Sequence, residues 1–240
     1  LTWLFLSLCL CVSAAPFSPD SAHAQADADP AEVDASALPL IGDLLANLPT
    51  MEELLRDPPV DWIVVKTLKD RVVIVEPIDP RPNTLETLPT RIEEFSATRR
   101  KPNESVEERQ QRFRDLHYLK VFLENDENEY KIHVDEIQEI IHHEDQMLLR
   151  IDALLEENSF NDALQLIFTL YGLRPDWPGA ADRHHRLLFK EAQSLREQDQ
   201  TEAALVRLEE LHALRDDYPE LQAALGTTAD VSSLSFTNFQ

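Results

Sequence analysis

Residues 147–178, MLLRIDALLEENSFNDALQLIFTLYGLRPDWP, return 41 positions later as residues 188–219, LFKEAQSLREQDQTEAALVRLEELHALRDDYP. The offset lays Leu154 on Leu195, Glu156 on Glu197, Ala163 on Ala204, Leu170 on Leu211, Arg174 on Arg215 and Pro178 on Pro219. Ile167 meets Leu208, and Trp177 meets Tyr218. Self-similarity at a period of about 20 to 50 residues marks stacked supersecondary units. Each copy reads as a helix, a polar break (Glu157-Asn158-Ser159, then Gln198-Asp199-Gln200) and a second helix that stops before proline.

The apolar spacing supports that reading. Leu148, Ile151, Leu154 and Leu155 form one stripe, and Phe160, Ala163, Leu164, Ile167, Leu170 and Tyr171 form the next. These i, i+3, i+4 intervals give each helix one face that must be buried on a partner. Leu188, Ala192 and Leu195, then Ala204, Leu205, Leu208, Leu211 and Leu214, repeat the arrangement. Ala163 and Ala204 are expected where helices cross closely, and Leu164 and Leu205 are expected as equivalent core residues. Pro175, Pro178 and Pro219 end helices, since proline has no amide hydrogen and clashes with the preceding turn.

The run FNDALQLIFTLYGLRPDWP resembles the tetratricopeptide repeat, with Phe160, Ala163 and Pro175 at the family's aromatic, alanine and proline positions. Asn158 stands where that family often has glycine, and Thr201 and Asp216 replace the aromatic and the proline in the second copy. The period also exceeds the family's usual length of about 34 residues. More loosely, the order of a Trp-Ile-Val-Val hairpin, a proline-rich strand exit, a second hairpin and two degenerate repeats resembles the N-terminal region of bacterial extracellular solute-binding proteins of the peptide-transporter type. That resemblance implies a front end associated with solute or peptide uptake, to which a ligand-binding half would be joined.

Net charge is −23. So acidic a surface repels phosphate backbones and argues against nucleic acid as a partner. Residues 3–15, WLFLSLCLCVSAA, are apolar and are followed by Ala22-His23-Ala24. An apolar run before a small-x-small site reads as a secretory signal peptide over residues 1–26, with an N-terminal membrane anchor as the alternative. Cys9 and Cys11 lie inside that run. A product starting near Gln25 or Asp27 would carry no cysteine, which fits a secreted or periplasmic protein of a bacterial envelope better than a disulfide-stapled domain.

Residues 27–60 read as an acidic spacer followed by short helices broken at Pro49. Residues 61–135 read as a small β domain with a charged insert. Its first hairpin joins Trp62–Thr67 to Arg71–Val75 around Lys69-Asp70. Pro80, Pro82 and Pro89 favour extended backbone over 78–89. Residues 97–115, ATRRKPNESVEERQQRFRD, read as an exposed loop with one helical turn. Alternation of Leu119, Val121 and Leu123, then of Tyr130, Ile132 and Val134, gives a second hairpin. Residues 136–225 read as the helical repeats and 226–240 as a disordered tail. The fold class is thus α+β: a small antiparallel β unit of two hairpins, then a tetratricopeptide-like repeat of two helical hairpins.

Candidate chemistry is sparse. His142-His143-Glu144-Asp145 reads as a solvated helix start, because adjacent helical histidines point about 100 degrees apart and cannot share a metal as an i, i+4 pair does. His184-His185, with Asp182, has the same geometry. A metal-dependent hydrolase built on His142/His143 or His184/His185 is the rival reading. Four isolated glycines form no phosphate loop, and Gly-x-Ser-x-Gly is absent from the sequence. No cofactor is expected. Trp177 and Tyr218, at equivalent corners, read either as staples closing each hairpin or as peptide anchors, and Tyr171, Arg174 and Trp177 are the candidate partner-binding residues. The expectation is a non-catalytic module that receives a protein or peptide; its uncapped last repeat reads as a chain cut short or as one that borrows its cap from a partner or from a second copy of itself.

Overall fold

The computed structural model describes residues 38–55, 58–98, 103–124 and 128–226. The leader, most of the acidic spacer and the tail from 227 onward lie outside them. The described residues form a mixed α+β structure with two antiparallel sheets. Among them, no helix is long and apolar enough to cross a membrane.

Strand β1 (Asp61–Val65) is the centre, and all five of its residues are buried. It pairs with β2 (Arg71–Val75), matching Ile63 to Val73, and with β5 (Ile137–Ile141), matching Ile63 to Ile140. Period-two alternation gives a central strand two faces, and here both are covered. Ile63 and Val65 pack with Val73, Val75 and Ile137, while Trp62 and Val64 pack with Val72 and Ile141 on the other side. Lys69 and Asp70, both in the left-handed region, make the β1–β2 turn. Strands β3 (Tyr118–Phe122) and β4 (Glu129–His133) form the second sheet. A single bridge, Val75 to Leu123, links it to β2.

Three expectations change here. The β part is not four strands from two hairpins, because Ile137–Ile141, read as the opening of the helical repeats, is a strand on β1. Ile137, Ile140 and Ile141 have helical spacing, yet three β-branched side chains fit a half-buried strand. The charged stretch is mostly helix α4 (Val106–Asp115). Its start is a capping box: Glu108 N donates to Ser105 Oγ at 3.0 Å and Ser105 N to Glu108 Oε2 at 2.6 Å. Helix α3 (Thr84–Ala97) runs straight through Pro89, which was read as extended. The short helices α1 (Ile41–Ala46) and α2 (Met51–Leu54) flank Pro49, as expected.

Four longer helices follow: α5 (His143–Glu156), α6 (Phe160–Leu173), α7 (Ala180–Glu197) and α8 (Thr201–Leu214). Helix α5 packs on α6, α6 on α7 and α7 on α8. The 41-residue offset carries the C-terminal end of α5 onto that of α7, and both ends of α6 onto those of α8. It also carries the breaks. Asn158 and Asp199 both have positive φ, at 58° and 60°. Ser159 N donates to Leu154 O, and Gln200 N to Leu195 O, each at 2.8 Å. Each break is therefore a Schellman C-cap, with Asn or Asp taking the left-handed position that usually favours glycine.

Ala163 and Ala204 are fully buried, as are Ile167, Leu170, Leu208 and Leu211. Leu164 and Leu205 occupy equivalent sites but are only half-buried. The buried stripe runs one position away from them, through Ala163, Ile167 and Leu170 and through Ala204, Leu208 and Leu211. After α8, Glu220 repeats the left-handed backbone of Gly179, and residues 221–226 begin another helix at the place where α7 begins. Leu221 is buried there.

Candidate functional site

The chemistry-bearing residues converge where the sheet meets the N-terminus of α5. Arg81 lies between two cis bonds to proline, Asp79–Pro80 and Arg81–Pro82. Its Nη1 lies 2.6 Å from each carboxylate oxygen of Glu144, and its Nη2 donates to both oxygens of Asp61. Side-chain exposure is 5% for Arg81, 0% for Asp61 and 4% for Glu144. Solvent is thus shut out of an ion triad, where charges interact far more strongly than at a surface.

Asp61 also accepts from Ile78 N at 2.8 Å, from His143 N at 2.9 Å and lies 3.0 Å from His142 Nδ1. Burial works against its ionisation, but the bonds from His142, Ile78 and Arg81, with the charge of Arg81, hold its carboxyl below the usual range. Burial likewise lowers the Arg81 value, and Asp61 and Glu144 overcome it, raising the guanidinium above its ordinary value. These carboxylates sit at the positive end of α5, which favours negative charge.

A second ring of contacts surrounds the triad. Asp145 Oδ2 accepts from His142 N at 3.1 Å, and its Oδ1 accepts from Trp177 Nε1 at 3.0 Å. Burial pushes the Asp145 carboxyl up despite those two donors. The Trp177 ring meets His142 edge-on at 5.7 Å. Burial, reinforced by Arg81 and opposed by Glu144 and Asp61, lowers the His143 imidazole value.

The cluster corrects the reading of His142-His143-Glu144-Asp145 as a solvated helix start. His142, His143 and Glu144 are buried. Their partners, Asp61 at the start of the central strand and Arg81 in the loop after β2, lie more than sixty residues away in sequence. No local pattern announces such a pairing. A partial signal was present: Asp61 opens an otherwise apolar buried run, and Arg81 stands between prolines.

Asp61, His142 and Thr84 have the order of a carboxylate–imidazole–hydroxyl relay, with Thr84 Oγ1 3.4 Å from His142 Nε2. All three groups are enclosed, and the imidazole and the hydroxyl already have backbone partners. Thr84 Oγ1 donates to Pro80 O at 2.7 Å, His142 Nε2 lies 3.1 Å from Pro82 O, and Thr84 is 2% exposed. Among the described residues, no group of three or more His, Cys, Asp or Glu side chains is arranged to hold a metal ion.

The partner-binding candidates scatter. Trp177 is buried against Asp145 and His142, the staple arrangement, and presents no free face. Arg174 is 51% exposed, with Nε 3.6 Å from Glu144 Oε1. Tyr171 is half-buried and packs edge-on against His184 at 5.9 Å. His184 and His185 lie with their rings nearly parallel, 6.5 Å apart. Burial lowers both imidazole values, and Arg215 reinforces the effect at His185. The offset also pairs Leu173 with Leu214, and Leu214, expected in the buried stripe of the last helix, is not buried there. They stand out at 55% and 52% exposure. No protein-family model matches the chain, nor does any curated protein or solved structure.

Proposed function

We propose that the chain is a non-catalytic protein-interaction module, exported to the bacterial envelope, in which a tetratricopeptide-like pair of helical hairpins, α5–α6 and α7–α8, receives a protein or peptide. The observation that carries this reading is the pairing of Leu173 with Leu214. Both are large apolar residues at the same position of successive units, and both are more than half exposed. Repetition of an exposed apolar residue along a helical stack provides regularly spaced anchors for a partner segment. Arg174, exposed beside Leu173, adds a cation of the type enriched in binding surfaces. The buried state of Asp61, His142 and Thr84 supports binding over catalysis, since a reacting group must reach a substrate. By resemblance, the module serves solute or peptide uptake, and self-association through the last repeat belongs to the same reading.

The test is photo-crosslinking in intact cells from p-benzoylphenylalanine placed at Leu173 or at Leu214. The expected result is the same discrete adduct from both positions. Absence of an adduct from both would overturn the reading. So would one zinc per chain that disappears on replacing His184 and His185 with Gln.

A further inference from the structure

We infer that the arm formed by α3 and α4 is a docking site for an acidic partner segment that inserts an aromatic or aliphatic side chain. The site is separate from the helical repeats and stands or falls independently of them.

Among the described residues, α4 has no buried side chain. Val106 is 51% exposed and Phe113 40%. Between the two helices lies a cleft of about 500 Å³ whose apolar lining is Phe95, Val106 and Phe113. The charged side chains that line it are Arg109 and Arg114, with no carboxylate. Glu104, just before α4, is 7% exposed and is neutralised by Arg112 at 2.5 Å and Arg109 at 3.8 Å. Glu108, on the first turn of α4, is turned back to Ser105 N.

Arg109 keeps the arm in shape. Its Nη2 donates to Phe95 O at 3.3 Å and Thr98 O at 2.7 Å, closing the C-terminal end of α3. Its guanidinium and that of Arg112 stand 4.9 and 5.0 Å from the Phe95 ring centre. Arg114 gives Nη2 to Gln111 and has no carboxylate partner among the described residues. From the cleft a run of rings continues over the second sheet: Phe95 to Phe113 at 6.0 Å, Phe113 to His117 at 5.2 Å, and His117 to His133 at 6.2 Å.

Charge selects the occupant. A chain of net charge −23 repels an acidic segment over most of its surface. Screening limits that repulsion to about 8 Å at physiological salt, so a local basic cleft keeps its own attraction. Arginine offers a carboxylate two parallel bonds, which lysine does not. Aromatic residues and arginine are also the types that carry most binding energy at interfaces.

The experiment titrates the ¹⁵N-labelled protein with a blocked Glu-Glu-Leu-Phe-Glu-Glu peptide and with its Lys-Lys-Leu-Phe-Lys-Lys counterpart. The acidic peptide is expected to shift the amides of residues 95–96 and 106–114 and to bind at least tenfold more tightly than the basic one. Phe113→Ser and Arg114→Glu, both at exposed positions, should each weaken it tenfold or more with the circular dichroism unchanged. Equal or tighter binding of the lysine peptide overturns the proposal, as do shifts mapping elsewhere, no binding at all, or variants that bind like the parent. Self-association of the free protein that either variant abolishes would make a second copy the occupant and overturn it too.

Discussion

Arg81 Nη1 is 2.6 Å from both carboxylate oxygens of Glu144, so the loop leaving β2 is fastened to the first turn of α5. The same guanidinium grips Asp61 at the start of β1. One cation thereby joins the sheet to the helical half. Replacing such a triad by packed apolar groups is often neutral, whereas removing one member leaves a buried charge uncompensated.

Arg81→Ala is therefore expected to lower stability by about 3–5 kcal/mol, read from the urea midpoint and slope. A loss below about 1 kcal/mol, the range of exposed pairs, would mean that water reaches the triad.

The pH dependence follows from the same groups. Asp61 is held below its ordinary value, so its contribution is present above the unfolded value of about 3.9 and is lost as pH falls through the folded one. His143 is lowered by burial, so folding is opposed increasingly as pH falls below the unfolded value of about 6.5. Asp145, raised by burial, acts with the opposite sign and gains stability as pH falls through its folded value. Unfolding free energies between pH 7 and 3 should fall for the parent and fall less for Asp61→Asn. Parallel curves would remove Asp61 as the cause.

Trp177→Phe keeps an aromatic ring, though a smaller one, and deletes the donor to Asp145 Oδ1. The expected cost is about 1–3 kcal/mol, the penalty for a buried acceptor losing its donor. Thermal unfolding that matches the parent would contradict the staple role.

Ala163→Leu and Ala204→Leu should each cost about 1–3 kcal/mol by overpacking the helix crossings. Leu173→Ala and Leu214→Ala should stay within about 0.5 kcal/mol of the parent, because both side chains face solvent. Denaturant titration of the four variants checks the contrast.

Much of the helical half was legible because its signal is local and doubled. The 41-residue offset predicted equivalent helices, and it holds down to the left-handed Asn158 and Asp199. The β1–β2 pairing was legible from β-branched runs around Lys69-Asp70. Strand β5 was not, since Ile137, Ile140 and Ile141 fit both periodicities and only pairing with β1 decides between them. Helix α4 was hidden by its charge, although Ser105 and Glu108 spelled a capping box. The buried cluster was the least legible part. Asp61, Arg81 and His142 come from three distant stretches, and burial of the histidines is a tertiary property that their neighbours in sequence do not encode.

Chemical modification of the histidines by diethyl pyrocarbonate, followed residue by residue by mass spectrometry, tests most directly whether the cluster is a sealed lock or a reactive site. His142 and His143 are 1% and 5% exposed, while His212 is exposed on α8. The folded protein should react at His212 and leave His142 and His143 unmodified until denaturant unfolds the chain. Modification of His142 at the rate of His212, with the fold intact, would contradict the account and return the Asp61–His142–Thr84 relay to consideration as an active site.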